Sequence, residues 1–188
     1  MTRILLEVPY LSQLDSNTTQ GGRMCFSSTC AMMLNYLKPK AIVQPFVGDQ
    51  KDDIYLTKLN RLGYDSTDAQ GQLATLKSYG FQATYHQNGN WEDVNSLLAK
   101  GIPVPVGILH KGNILSPTGG GHWVLIVGHS ADGLTYYVND PAGELDLVQG
   151  GYHVTNNGKM RKYSKENLGK RWMIEGSGSG WYVKGSKA

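Results

Sequence analysis

The chain has only two cysteines, Cys25 and Cys30, among its 188 residues, too few for a disulfide framework. Five positions apart on one expected helix, they would point about 140° from each other and could not bridge. The histidines, His86, His110, His122, His129 and His153, lack paired-ligand spacing, so no metal is expected. An excess of one charge is also missing. Eighteen Lys and Arg against 15 Asp and Glu leave +3, spread along the chain rather than gathered in blocks, and nucleic-acid binding is not expected. No apolar run reaches the roughly 18 residues of a membrane span; the longest are Trp123 to Val127 and Ile102 to Leu109, the latter broken by prolines. The stretch from Met1 to Pro9 has too short an apolar run for a signal peptide and no small-residue cleavage site. Synthesis in the cytoplasm is therefore expected, with any action outside a cell dependent on release by a separate factor. Repeats and low-complexity tracts are absent, and the Gly and Ser residues from Gly176 to Gly180 read as a flexible corner.

A hydrophobic content of 40% suffices for one domain, residues 1–188, with a sizeable core. The chain reads as a helical first half and a strand-rich second half. After an extended Ile4 to Tyr10 and a polar loop from Asp15 to Arg23, the apolar stripe of Met32, Met33, Tyr36 and Leu37 predicts a helix over Cys25 to Leu37, ended by Pro39. Helices are expected over Asp52 to Leu62 and Gln70 to Tyr79, followed by Gly63 and Gly80, and over Trp91 to Lys100, followed by Gly101. Ile102 to Leu109 contains Pro103 and Pro105 and reads as an edge strand or a partly extended one. His122 to Gly128 and Leu134 to Asn139 form a hairpin through Ser130-Ala131-Asp132-Gly133. A short helix near Ser164 to Leu168 and a strand near Trp181 to Val183 complete the expectation.

That hairpin carries a geometric argument. A turn near residues 131 to 132 sets opposite each other positions whose numbers sum to roughly 263. His122 then neighbours Asp140, although a slip of one residue would substitute Asn139. A carboxylate beside a histidine can orient the ring and stabilise the imidazolium. Cys25 fits a third role, because unpaired N–H groups and the macrodipole at a helix start favour a thiolate. Taken singly, each residue also has an ordinary reading: Cys25 as a small buried hydrophobe, His122 as a strand-end residue, Asp140 as turn chemistry before Pro141. The glycines before His122 favour the functional reading, since they let a substrate approach closely. Cys30, with apolar helical neighbours, is expected in the core. His129 is expected on the opposite strand face in a structural role, and His110 and His153 have no evident partner.

Four segments together resemble a known family. They are Val8-Pro9-Tyr10-Leu11-Ser12-Gln13-Leu14-Asp15, Cys25 to Leu34, Gly121-His122-Trp123-Val124-Leu125-Ile126-Val127-Gly128, and Val138-Asn139-Asp140-Pro141. In order and spacing, over about residues 7 to 142, the chain resembles the double-glycine leader peptidases, family thirty-nine of the cysteine peptidases, and their stand-alone relatives in the papain-like superfamily. The resemblance implies an α+β fold with a nucleophile helix packed on an antiparallel sheet. It also implies Cys25 as nucleophile, His122 as general base, Asp140 as orienter and Gln13 as a side-chain donor to the oxyanion. No cofactor is implied. One departure stands out: Phe26-Ser27 follows the cysteine where the family often has Gly-Pro, which implies a different cleft beside the nucleophile.

The expected reaction is cleavage of amide or peptide bonds. A small stand-alone member with a mild positive charge, and with a stretch from Gly143 to Trp181 that resembles phage-encoded proteins, is expected to be a monomeric endolysin acting on bacterial peptidoglycan. The alternatives are a protease of peptide or protein substrates and an inactive virion or binding module. The last would use Trp91, Trp123, Trp172 and Trp181 as a sugar or peptide platform.

Overall fold

A computed structural model describes residues 2–155 and 157–186. The helices are α1 (Cys25–Leu37), α2 (Lys51–Arg61), α3 (Ala69–Ser78), α4 (Trp91–Ala99) and α5 (Lys165–Trp172). The strands are β1 (Ile4–Leu5), β2 (Ala83–Gly89), β3 (Val104–Ile108), β4 (His122–His129), β5 (Thr135–Asn139), β6 (Glu144–Leu145), β7 (Tyr152–Val154), β8 (Arg161–Ser164) and β9 (Gly180–Gly185). The main sheet runs β2-β9-β3-β4-β5-β8 with β1 on β4, antiparallel at each pairing, and β6 and β7 form a separate two-stranded piece. The fold is α+β, as the residue pattern implied.

The sheet separates two apolar clusters, and β4 feeds both. Val124 and Ile126 pack with β3, α4 and α5, whereas Leu125 and Val127 pack with α1 and its neighbours. A strand covered on both faces has no polar alternation, which explains the run Trp-Val-Leu-Ile-Val. Helix α1 is buried from Phe26 through Asn35. Three successive small hydroxyls fit it to three neighbours: Ser27 accepts from Gln72 of α3, Ser28 donates to Asp52 of α2, and Thr29 donates to the Trp123 carbonyl of β4. Steps of about 100° per residue turn consecutive side chains toward different elements.

Four of the predicted helices lie within one residue of their expected bounds, and α5 is longer than expected, reaching Trp172. Three strand readings need correction. Of the two readings of Ile102 to Leu109, partial extension holds, over Val104–Ile108, and the edge position does not: β3 lies between β9 and β4. Its pairing with β9 covers only Val106 and Gly107, so Pro105 falls outside that ladder and its missing N–H breaks no bond there. Strand β2 lies in the half read as helical. Its sequence, Ala-Thr-Tyr-His-Gln-Asn-Gly, lacks apolar alternation because it forms the sheet edge with β9 as its one partner. The extended start is a strand only over Ile4–Leu5, and the polar loop before α1 contains two single-turn helices, Gln13–Asp15 and Gly21–Arg23.

Candidate active site

Cys25 is the first residue of α1, after Met24, whose side chain caps nothing. The helix start therefore retains free donors, and the Cys25 sulfur accepts from the backbone N–H groups of Phe26 and Trp123. Phe26 stacks on the Trp123 ring at 3.7 Å between centroids, 3° from parallel, which pins the first turn of α1 to the start of β4. Cys25, of intermediate exposure, borders a cleft of about 450 Å³ lined by Trp123, Trp172 and Trp181 together with Gly107, Gly120 and Gly121. Gly107 has Trp123 and Trp181 as its cross-strand partners, and a Cβ there would come within 3.1 Å of the Trp123 ring. Of the four tryptophans of the platform reading, Trp91 does not line the cleft: it stacks on Tyr136 and packs edge-on against Trp172, 4.9 Å between centroids.

His122 opens β4 and is buried. Its Nε2 lies 2.8 Å from Asp140 Oδ1, and the ring also hydrogen-bonds the Cys25 sulfur. With Nε2 engaged, Nδ1 is the nitrogen left for sulfur. Burial by itself would lower the His122 pKa, but the charges and hydrogen bonds of Asp140 and Cys25 overcome it and raise it well above the usual imidazole value. Burial would likewise raise the Cys25 thiol. The facing His122 charge and the hydrogen bonds from His122, Trp123 and Phe26 reverse that and hold it below the ordinary value. The arrangement can therefore keep a thiolate beside an imidazolium.

Asp140 is completely buried, directly after β5. Oδ1 also accepts from the Ala142 N–H at 3.0 Å, and Oδ2 accepts from the Tyr163 hydroxyl at 3.1 Å. Pairings of Leu125 with Asn139 and Ile126 with Val138 put the register sum at 264, with an irregularity between Ile126 and Gly128. That shift from the expected sum is absorbed without displacing Asp140. Asn139, the residue a slip would have substituted, donates to the Val8 carbonyl and accepts from Met160 N–H, so it ties neighbouring segments together.

Gln13 lies in the turn below the entry to α1. Its backbone N–H bonds Pro141 O at 3.0 Å, and its side-chain Nε2 donates to Gly21 O at 2.9 Å. The side chain is buried, and Oε1 has no partner. An amide carries two N–H donors, so one remains beyond the bond to Gly21. Thus Cys25, His122 and Asp140 are joined by hydrogen bonds, while Gln13 is tied to the turns on either side of them.

Several neighbours were given no role by the sequence. Tyr10 donates to the Asp140 carbonyl and accepts from Gly158 N–H. Tyr152 packs edge-on against His122. His110, which had no evident partner, lies 5.3 Å from His122 between ring centroids; burial first, then the His122 charge, lowers its pKa to about 4. Arg171 is buried and donates to the carbonyls of Leu109, Lys111, Gly112 and Leu147, bracing the loops around this cluster. Of the other histidines, His153 pairs with Asp146 on the surface, and His129 is buried against the Ser130 carbonyl. Among the described residues, no group of three or more His, Cys, Asp or Glu could hold a metal ion, and no helix is long and apolar enough to cross a membrane.

A thiol at the start of a buried helix, facing an imidazole and a carboxylate on an antiparallel sheet, is the architecture of papain-like cysteine peptidases. The chain belongs to the Peptidase_C39 like family, whose profile matches residues 5–179, and it is a cysteine hydrolase of that class. Solved structures share the fold at low identity. A protein described as a C39-like peptidase from Bacillus anthracis is 16% identical with a TM-score of 0.63, covering 100% of this chain and 99% of its own. The peptidase domain of Streptococcus ComA, a bi-functional ABC transporter involved in a quorum-sensing pathway, is 16% identical with a TM-score of 0.59, covering 97% and 100%. A double-glycine motif protease from an AMS/PCAT transporter, in complex with its leader peptide, is 16% identical with a TM-score of 0.53, covering 100% and 99%. No curated protein matches the chain.

Proposed function

We propose that the protein is a cysteine peptidase in which Cys25 is the nucleophile, His122 the acid and base, Asp140 the orienter and Gln13 an oxyanion donor. The observation that carries this reading is the contact chain from Cys25 sulfur through the His122 ring to Asp140, 2.8 Å at its second step. The Cys25 thiolate attacks the scissile carbonyl carbon and the C=O electrons move to oxygen. That oxyanion is met by the free Nε2–H of Gln13 and by N–H groups at the start of α1. His122 passes its proton to the departing amine, leaving a thioester. Neutral His122 then takes a proton from water, the hydroxide attacks the thioester, and the acid product leaves as Cys25 thiolate and His122 imidazolium reform.

For the substrate we infer the peptide portion of bacterial peptidoglycan, the chemistry of a phage endolysin. An open cleft with tryptophan walls suits a peptide attached to sugar, and a net charge of +3 favours approach to an anionic wall. A second reading, trimming of a peptide leader, is favoured by the leader peptide bound to the double-glycine motif protease of the same fold. The test is to incubate wild type and Cys25→Ala with purified peptidoglycan and, separately, with peptides bearing a Gly-Gly junction. Cys25-dependent release of wall fragments with new amino groups and no new reducing sugar ends supports the wall substrate. Cys25-dependent cleavage of the peptides alone overturns it in favour of leader processing, and equal turnover by Cys25→Ala overturns the mechanism.

A further inference from the structure

The residues after Pro141 have no part in the reaction described above, yet they surround its carboxylate. From β7, the Tyr152 hydroxyl reaches both oxygens of Asp140, at 3.4 and 3.3 Å. From β8, the Tyr163 hydroxyl donates to Oδ2 at 3.1 Å while accepting from Leu145 N–H at 2.8 Å. The N–H of Leu145 uses a Tyr163 lone pair, and the hydroxyl proton goes to the carboxylate. Tyr152 approaches both members of the pair, because its ring also stands edge-on to His122, 5.7 Å between centroids and 78° between planes. His110 packs against the same imidazole at 5.3 Å. Gly158 closes the shell: a Cβ there would lie 1.8 Å from the Asp140 carbonyl oxygen.

We propose that Tyr152 and Tyr163 are positioning residues for the His122–Asp140 pair, so that the segment from β6 to β8 completes the site. This rests on the roles given above to Cys25, His122 and Asp140. A buried carboxylate held only through Oδ1, by His122 and the Ala142 N–H, could rotate about that oxygen or take up a proton at Oδ2. Two hydroxyl donors from separate strands add to His122 and the Ala142 N–H, Tyr163 on Oδ2 and Tyr152 toward both oxygens, which fixes the plane of the carboxylate and holds its charge toward Nε2. Burial, followed by the Asp140 charge, pushes both phenols well above the ordinary tyrosine value, so they stay donors. The other ionisable groups around the pair are Cys25 on α1, Tyr10 before the first turn and His110 after β3, with Glu144 of β6 acting on Tyr163 and Arg171 of α5 on Tyr152.

The test needs no knowledge of the substrate. Alkylation of Cys25 by iodoacetamide is followed from about pH 4 to pH 9 in wild type, Tyr152→Phe, Tyr163→Phe and His122→Ala, with thermal melting as the check on folding. Tyr136→Phe, whose hydroxyl bonds Asn95 away from the site, is the control. Loss of either hydroxyl weakens the counter-charge to His122, the imidazolium supports the thiolate less, and the pH of half-maximal alkylation rises by about one unit, a tenfold change in thiolate fraction. Packing damage alone would lower the melting temperature without moving that midpoint, as Tyr136→Phe is expected to do. If Tyr163→Phe does not fold, Tyr152→Phe decides, since its ring is only partly buried. Midpoints unchanged in folded tyrosine variants, with a displaced midpoint in His122→Ala, overturn the positioning role alone. A wild-type midpoint at the ordinary thiol value, unmoved by His122→Ala, overturns the catalytic reading and this proposal with it.

Discussion

The first turn of α1 and the turn above it each carry one thiol, and the two face opposite chemistry. Cys25 meets two backbone donors and a cationic ring, and its pKa falls below the ordinary value despite burial. Cys30, five residues on, is fully buried among Ala31, Met33, Leu34 and other apolar side chains. Burial pushes its pKa far up, and the hydrogen bond with Tyr55 does not offset it. Burial alone thus does not set cysteine chemistry. What differs is whether the charge that forms has donors and a counter-charge already in place.

Cys25→Ala removes one side of this comparison and has the largest expected effect: loss of hydrolysis by at least about 10⁴-fold, with an unchanged circular dichroism spectrum. Asp140→Asn should draw the two thiols together. Turnover is expected to fall about 10³-fold, and the pH dependence of stability should change as well. Because the folded His122 pKa is raised by Asp140 and Cys25, the stabilisation from its protonation is fully present below the unfolded value of about 6.5. It is lost as pH rises through the folded value. The wild type should therefore lose about 1–2 kcal/mol across that alkaline window, seen as a fall of several degrees in Tm, and Asp140→Asn should lose less.

Gln13→Ala sharpens the comparison by leaving the thiols alone. Turnover should drop about 10²-fold, while alkylation of Cys25 keeps its wild-type pH midpoint. The smallest effect is expected at Cys30→Ala, which removes the other thiol. Hydrolysis should be unchanged, and denaturant unfolding should report a loss of about 1 kcal/mol from the small void left in the core. A large loss of activity in that variant would contradict a purely structural Cys30.

The parts of the fold legible in the sequence are those with strong local patterns. The bounds of α1 follow from its apolar stripe and Pro39, and the hairpin of β4 and β5 follows from its turn residues, which is why His122 and Asp140 could be paired in advance. Strand β2 was not legible because an edge strand exposed on its outer side needs no apolar alternation. The central place of β3 was hidden by Pro105, because whether a missing N–H costs a bond depends on where the neighbouring strand begins to pair. Tyr152 and Tyr163 had no motif to reveal them, and Tyr10, although inside one of the four segments that carry the resemblance, had no role assigned. Each reaches Asp140 from a different segment, and their common partner exists only once those segments have been folded against β5.

Local patterning and turn chemistry thus determined the helices, the hairpin and the nearness of His122 to Asp140, because each depends on residues close together in the chain. Tertiary structure decided the rest: that Cys25 sulfur lies against the other side of the His122 ring, that the register falls on Asp140 and not Asn139, and that hydroxyls from β7 and β8 close around the carboxylate. Contacts such as that between Tyr10 and Asp140, 130 residues apart, are set by the packing of the helices and strands on the two sides of the sheet, which no short window of sequence records.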